Sequence, residues 1–134
     1  MPQESPFSPT IALVTVARDA EVRLAVALEP VGLTLRKFGI LGRLVESTGL
    51  APATLSRSVP DSDALVRGLI ASGYVRSAGR PPQLTATEAG AAAYERAAVR
   101  VAAIDGDVFG SPAMQELAAV LAAMQPQPAP PAED

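Results

Sequence analysis

The chain has 134 residues, of which 49% are hydrophobic and 19% are charged, and its formal net charge is −3. A chain of this length can bury one sizeable core, so we expect a single domain. It contains neither cysteine nor histidine, which excludes disulfides, thiol chemistry, imidazole bases and the usual zinc ligands. We therefore expect a binding protein that needs no metal or cofactor, rather than an enzyme.

The most apolar stretch near the N-terminus, residues 11–28, is interrupted by charged side chains. These are Arg18, Asp19, Glu21 and Arg23. Their presence predicts that the stretch neither spans a bilayer nor forms the apolar region of a signal peptide. We expect a cytoplasmic protein with no membrane partner.

Net positive charge is confined to the middle of the chain. Residues 34–80 hold seven Lys or Arg against three Asp or Glu, whereas residues 81–134 hold two against seven. A basic segment on an acidic scaffold is typical of a surface that binds a polyanion such as nucleic acid. Chance clustering of surface arginines is the alternative interpretation.

The first predicted helix begins where Ser8 precedes Pro9, because serine is a good N-cap and proline is tolerated at the first helical position. It continues to about Glu29 and ends before Pro30. Residues 1–8 are predicted to be disordered. The helix is apolar on more than one side, which predicts that a second copy of the chain covers it.

A second helix is predicted from Thr34 to residues 48–49, where Gly49 would end it in the left-handed conformation. A short helix over 52–58, a turn and a helix over about 62–72 follow, and Gly73 ends the last of these. Two short strands, 74–76 and 83–85, flank a turn with the sequence SAGRPP. This order of elements predicts a winged helix-turn-helix.

The C-terminal part is predicted to be helical as well. Thr87 caps a long alanine-rich helix, and we expect this helix to break or kink near Asp105-Gly106-Asp107. Ser111-Pro112 begins a last amphipathic helix that extends to Met124. Residues 125–134 form a proline-rich acidic tail that is predicted to be disordered. The predicted fold class is therefore mostly α with a small β-hairpin wing.

The order of these elements, together with the segments GLTLRKFGILGRL, LIASGYV and TEAG, resembles the MarR family of bacterial transcriptional regulators over residues 9–124. The resemblance implies a single MarR-like domain, in which helices 9–29 and 88–124 form a homodimer around a winged helix-turn-helix at 34–86. It also implies duplex DNA as the partner and a small molecule as the effector.

The resemblance also implies roles for particular residues. In the family pattern, the recognition helix reads the major groove and the wing reaches the adjacent minor groove. The implied DNA-binding residues here are Arg36, Lys37, Ser56, Arg57, Ser58, Ser62, Arg67, Arg76 and Arg80. Phe38, Leu41 and Tyr94 would line a ligand pocket, although core packing explains them equally well. Ile11, Val14, Leu117 and Leu121 would lie in the dimer interface.

Two features depart from the family pattern, because the wing is short and the recognition helix opens with Asp61 and Asp63. Acidic groups at a helix N-terminus cap it and suit its dipole, each contributing about 0.3–1 kcal/mol. Asp63 and Arg67 are four residues apart and are predicted to form a surface ion pair.

Three hypotheses follow. The first is a DNA-binding transcriptional regulator. The second is a winged-helix dimer that has lost DNA binding and serves as a protein-interaction or ligand-binding module. The third is a small enzyme using Asp105 and Asp107, which is disfavoured because these residues flank Gly106 where a turn is expected anyway.

Overall fold

The computed structural model describes residues 7–125, so most of the two predicted disordered ends, 1–8 and 125–134, lies outside the described residues. The helices are α1 (Pro9–Leu28), α2 (Leu35–Val45), α3 (Pro52–Ser58), α4 (Ser62–Ala71), α5 (Glu88–Val108) and α6 (Pro112–Met124). A 3-10 turn, Glu29–Val31, follows α1, and the strands are β1 (Val75–Ala78) and β2 (Gln83–Ala86). The chain divides into two compact units between Ile104 and Asp105.

Side-chain caps begin three of the helices where the sequence predicts them. The hydroxyls of Ser8, Thr34 and Ser111 each accept a hydrogen bond of 3.2 Å from the backbone N–H three residues later. These bonds satisfy donors that the first helical turn leaves without intrahelical partners. The predicted starts of α1, α2 and α6 are therefore confirmed.

The end of α2 differs from the prediction. The helix ends at Val45 rather than at residues 48–49, and Gly49 has a φ of 145°, which is not the left-handed helical conformation. The chain leaves the helix early because Leu50 pairs with Leu84 of β2. Their backbone groups exchange hydrogen bonds of 3.0 and 2.7 Å. Pairing with the hairpin, which local sequence does not reveal, sets this helix end.

The predicted break near Asp105-Gly106-Asp107 is also wrong, because α5 continues through these residues to Val108. The Phe109 N–H donates to the Asp105 carbonyl over 2.9 Å. A single glycine costs a helix only about 1 kcal/mol relative to alanine, which is too little to end a well-supported helix.

One apolar core lies in the first unit, with α2 at its centre. Its fully buried large side chains are Leu28, Ile40, Leu41, Leu44, Leu55 and Leu69. The hairpin adds Val75 and Leu84, and α5 adds Ala93 and Ala97. The core thus joins the winged helix, residues 34–86, to the first half of α5 and the end of α1.

The wing is an antiparallel pair in which Val75 lies opposite Ala86 and Ala78 lies opposite Gln83. α5 starts directly after it, where the Thr87 hydroxyl accepts a hydrogen bond of 3.0 Å from the Gly90 N–H and donates one of 2.6 Å to the Gly73 carbonyl. A Cβ on Gly90 would lie 2.0 Å from the Tyr74 carbonyl oxygen. Only glycine lets α5 approach the end of the α4–β1 loop this closely.

The second unit contains the end of α5 and all of α6. No residue of α6 is buried. A groove of about 430 Å³ lies within this unit and is lined by residues that include Phe109, Ala118 and Leu121. In the described part of the chain, no helix is long and apolar enough to cross a membrane.

Candidate nucleic-acid interface

α3 and α4 form a helix-turn-helix, and the β1–β2 hairpin forms the wing. The inner face of α4 carries Val66 and Leu69, which belong to the core. Its exposed face includes Asp63, Arg67 and Ile70. The recognition surface of α4 therefore carries one acid and one base, and most of the positive charge comes from neighbouring elements.

Four of the predicted DNA-binding arginines are exposed, and they come from three elements and one turn. Arg57 lies in the last turn of α3, Arg67 on α4, Arg76 on β1 and Arg80 in the turn between the strands. None of them lies within 4 Å of a carboxylate in residues 7–125, where the ion pairs are Arg23–Asp19 and Arg36–Asp61. No carboxylate of residues 7–125 thus competes with an external anion for these guanidinium groups.

The three predicted serines differ. Ser56 is exposed, and its hydroxyl donates to the Ala53 carbonyl over 3.1 Å. Ser58 is exposed and accepts a hydrogen bond from Arg43. Ser62 is only 2% exposed, so its hydroxyl is not on the surface. The prediction that Ser62 contacts DNA does not fit this burial, because the first residue of α4 turns inward.

Arg36 and Lys37, which were predicted to contact phosphates, are engaged within the chain. The Arg36 guanidinium donates to the Pro60 carbonyl, and its second terminal nitrogen lies 3.9 Å from the Asp61 carboxylate. Lys37 is half-buried, and its Nζ lies 2.8 Å from where a Cβ on Gly68 would be. Both side chains extend from α2 toward α4 and the turn that precedes it.

Sequence reasoning missed Arg43, which donates through a terminal nitrogen to the Ser58 hydroxyl. The signal was its spacing, since Arg43 follows Arg36 by seven residues and so lies on the same face of α2 two turns later. That face leads to the α3–α4 turn.

The two acids at the start of α4 differ, since Asp63 lies where the prediction places it and Asp61 does not form the predicted cap. Asp61 is the N-cap residue, but it makes no side-chain capping bond and has a φ of 60°, in the left-handed region. Asp63 lies in the first turn, where its charge suits the helix dipole. The predicted Asp63–Arg67 ion pair does not form, because in the described residues the two charged groups are more than 4 Å apart.

A cavity of about 420 Å³ separates these two side chains from the wing. Its walls come from α3, α4 and both strands, and they combine an apolar surface with Asp63, Arg67 and the Ser77 hydroxyl. The remaining wall residues are Pro52, Leu55, Val66, Ile70 and Leu84. Sequence reasoning did not find this cavity, since no local pattern brings β1 opposite α4.

The three residues predicted to line a ligand pocket pack together in the core. Phe38 and Tyr94 stack with ring centroids 5.0 Å apart and planes 16° apart, and Leu41 is completely buried. The Tyr94 ring lies over Gly42, where a Cβ would be 2.9 Å from its edge. Core packing thus accounts for all three side chains, and the cavity beside α4 has other walls.

The predicted interface residues lie on helices whose apolar side chains face solvent. Ile11 is 68% exposed, Val14 44% and Leu121 38%, and Leu117 is half-buried. Other aliphatic side chains are similarly exposed: Leu13, Val16, Val22 and Val26 on α1, and Val120 and Met124 on α6.

No protein-family model matches the chain, and no curated protein sequence matches it. Solved structures do match. The MarR family protein Rv2887 of Mycobacterium tuberculosis, in a complex with DNA, shares 30% identity over 90% of this chain and 100% of its own, with a TM-score of 0.75. The chain belongs to the MarR family. This finding confirms the resemblance noted in the sequence and makes the protein a transcriptional regulator.

Two further structures agree with this assignment. Rv2887 in a complex with salicylic acid shares 27% identity over 90% of this chain and 98% of its own, with a TM-score of 0.71. A MarR family regulator from Rhodococcus sp. RHA1 shares 23% identity over 91% of this chain and 96% of its own, with a TM-score of 0.77, and so supports the fold. The winged helix-turn-helix predicted from the sequence is thus confirmed as the MarR fold.

Proposed function

We propose that this MarR-family regulator binds duplex DNA as a homodimer through the winged helix of each subunit. The observation that carries the proposal is the set of four exposed arginines, Arg57, Arg67, Arg76 and Arg80, none of which is ion-paired within residues 7–125. They lie on three elements of the winged helix and one turn. The DNA complex of Rv2887 supports DNA as the partner.

Each arginine has a role that follows from its element. α4 would enter the major groove with Arg67 on its exposed face, and the wing would bring Arg80 toward the adjacent minor groove. Arg57 and Arg76 would contact phosphates. Ser56 and Ser58, which flank Arg57, would contact a phosphate only by giving up the hydrogen bonds that their hydroxyls donate to the Ala53 and Leu55 carbonyls. Phosphate contacts fix the position of the protein on DNA, whereas base contacts select the sequence.

The exposed aliphatic side chains of α1 and α6 support a homodimer. Soluble monomers rarely expose large contiguous apolar patches, because burying each Å² of apolar area stabilises by about 25 cal/mol. A second copy of the chain is the partner that presents the same apolar helices, so a symmetric interface buries both sets at once. The two winged helices would then bind two half-sites.

A small aromatic acid is the effector class we propose. The salicylic acid complex of Rv2887 supports the ligand class. The cavity beside α4 offers Arg67 to a carboxylate and apolar walls to a ring. An effector bound there would compete with DNA for Arg67. Ser77→Phe should therefore weaken salicylate binding, whereas Ala78→Phe, on the opposite face of the strand, should not.

Fluorescence anisotropy with a generic duplex across a salt series tests DNA binding, with the mass of the protein measured in the same samples. About 6–10 phosphate contacts per dimer should give a steep fall in affinity with salt, of about 0.9 log units per contact for each log unit of salt. Arg67→Ala with Arg80→Ala removes four arginines per dimer and should flatten the slope by about 3–4 units. Arg96→Ala with Arg100→Ala, the matched control on α5, should leave it unchanged.

The second hypothesis, a dimer that has lost DNA binding, is supported by the α4 surface, where Asp63 offsets the charge of Arg67. The same titration separates the two hypotheses. A dimer that binds no duplex even at low salt would end the DNA proposal and leave the protein-interaction or ligand-binding module as the hypothesis to test.

A further inference from the structure

Two arginines of α2 contact the same short turn. The Arg43 guanidinium donates to the Ser58 hydroxyl, and the Arg36 guanidinium donates to the Pro60 carbonyl and lies 3.9 Å from the Asp61 carboxylate. Because the two arginines are seven residues apart, they project from one face of α2. Together they contact the beginning and the end of Ser58–Asp61, the segment that joins α3 to α4.

This turn needs outside support. Ser58, Pro60 and Asp61 are all exposed, and Val59 is the one residue of the turn that packs against the core. Asp61 is the non-glycine residue with a positive φ in the described chain, and a non-glycine side chain in the left-handed region is strained. The Asp61 carboxylate makes no capping bond to α4, which leaves it available to Arg36.

The turn controls where α4 begins, since Ser62 follows Asp61 directly. Farther along α4, Lys37 lies against Gly68, where the missing side chain makes room for it. The basic residues of α2 therefore contact the α4 segment at its start and at its middle. Val66 and Leu69 hold the inner face of α4 in the core, but apolar contacts are not directional and fix the tilt of a helix less strictly than hydrogen bonds do.

We propose that Arg36 and Arg43 are positioning residues for sequence recognition, which set the orientation of α4 and do not themselves contact DNA. This inference rests on the proposed function. It assigns two basic side chains of the winged helix to the protein's own turn and leaves the DNA contacts to Arg57, Arg67, Arg76 and Arg80.

The proposal separates two properties of DNA binding. Non-specific affinity comes from charge attraction to phosphates, whereas specific affinity also needs base contacts in register. Loss of a positioning residue should therefore weaken specific binding and leave non-specific binding nearly unchanged. Loss of a phosphate contact should weaken both and flatten the salt dependence.

The test uses two duplexes of equal length: one selected from a random pool by the wild-type protein, and one of random sequence. Affinities are measured by anisotropy, well below the melting temperature of each variant, with the full chain. Arg36→Ala should bind the selected duplex about tenfold more weakly, as expected for loss of a hydrogen bond to a charged group. Its affinity for the random duplex should change by less than about twofold, and its salt slope should be kept.

Arg36→Lys provides the rescue experiment. Lysine keeps the charge but lacks the planar fork that reaches a carbonyl and a carboxylate together. If Arg36 is a positioning residue, Arg36→Lys should therefore bind the selected duplex almost as weakly as Arg36→Ala does. If Arg36 contacts a phosphate, Arg36→Lys should restore the affinity. Arg43→Ala should act in the same direction as Arg36→Ala. Arg57→Ala, the matched control in the winged helix, should lower the affinity for both duplexes. It should also flatten the salt dependence by about two units per dimer.

The outcomes are distinct. Unchanged affinity for the selected duplex in both alanine variants, with only a lower melting temperature, would overturn the positioning role while leaving DNA binding in place. Equal loss on both duplexes with full rescue by Arg36→Lys would make Arg36 a phosphate contact and also overturn it. If the wild-type protein selects no duplex, the proposed function itself fails.

Discussion

α1 and α2 are both rich in aliphatic residues, but the chain buries only one of them. α2 has 11 residues, and it buries Ile40, Leu41, Gly42 and Leu44. α1 has 20 residues, of which Leu28, the last, is buried. The shorter helix thus gives Ile40, Leu41 and Leu44 to the core, while the longer one gives Leu28 and leaves most of its apolar side chains in solvent.

The difference arises from the pattern of side chains rather than from their hydrophobicity. α2 has a single apolar stripe, with basic residues on other faces, so one set of neighbours from the same chain satisfies it. α1 is apolar around most of its circumference, and the described chain provides a cover only at its end. A helix with one apolar stripe, such as α2, indicates a core that is complete within the chain. A helix that is apolar on most sides, such as α1, indicates a partner outside the chain.

Among the substitutions considered, one at Gly90 should destabilise the packed core most. A Cβ there would lie 2.0 Å from the Tyr74 carbonyl oxygen, and backbone cannot move aside as a flexible side chain can. We expect Gly90→Ala to lower the free energy of unfolding by about 3 kcal/mol or more, beyond the usual cost of overpacking. Urea denaturation followed by circular dichroism measures the change.

Gly106→Ala, on the same helix, is the matched control. Within residues 7–125, no group outside the neighbouring backbone of the helix lies within 4 Å of a Cβ at Gly106, so the added methyl should stabilise the helix by about 0.5–1 kcal/mol. Equal effects of the two substitutions would contradict the close approach of α5 to Tyr74.

The second prediction compares the two helices directly. Leu41→Ala on α2 removes a completely buried side chain and should cost about 2–5 kcal/mol, because a cavity remains. Ile11→Ala on α1, where the side chain is 68% exposed, should cost the folded monomer less than about 0.5 kcal/mol. Denaturation at protein concentrations low enough to dissociate dimers gives both values. A large cost at Ile11 under these conditions would mean that α1 is covered within the chain.

The third prediction addresses the proposed partner of α1. Ile11→Asp places a charge on the exposed apolar face and should raise the dimer dissociation constant about 10- to 100-fold, because burying an unpaired carboxylate is costly. Sedimentation velocity over a concentration series measures this. Thr10→Asp, a neighbouring exposed position that is already polar, is the control. A wild-type dimer that Ile11→Asp leaves intact would exclude Ile11 from the interface.

Features set by neighbouring residues could be predicted from the sequence. The serine and threonine caps, the core positions of α2 and the two short strands around a Gly-Arg-Pro turn follow local rules, and together they identify the winged helix. The exposed arginines Arg57, Arg67, Arg76 and Arg80 could also be predicted, because surface arginines on a basic segment need no special geometry.

Features set by distant contacts could not be predicted. Leu50 ends α2 early by pairing with Leu84, which is 34 residues away along the chain. The spacing of Arg36 and Arg43 puts them on one face of α2, but it does not indicate their partners, a carbonyl and a hydroxyl of the α3–α4 turn about 15 to 24 residues away. The Asp63–Arg67 spacing predicts an ion pair, but an exposed pair gains little over solvation, about 0.3–0.5 kcal/mol, so side-chain entropy readily separates the charges.

The smallest predicted effect concerns the 3-10 turn that connects α1 to α2. The Tyr74 hydroxyl, just beyond α4, donates a hydrogen bond of 2.9 Å to the carbonyl of Val31, at the end of the 3-10 turn that follows α1. Tyr74→Phe should lower the free energy of unfolding by about 1 kcal/mol, because it removes the bond and leaves that carbonyl without this donor.

Tyr94→Phe is the control, since the Tyr94 hydroxyl makes no hydrogen bond within residues 7–125. Hydrogen exchange at the C-terminal end of α1 should accelerate about fivefold in Tyr74→Phe alone, as the same free energy implies. Equal exchange in the two variants would show that the core, and not this hydroxyl, holds α1 to the winged helix.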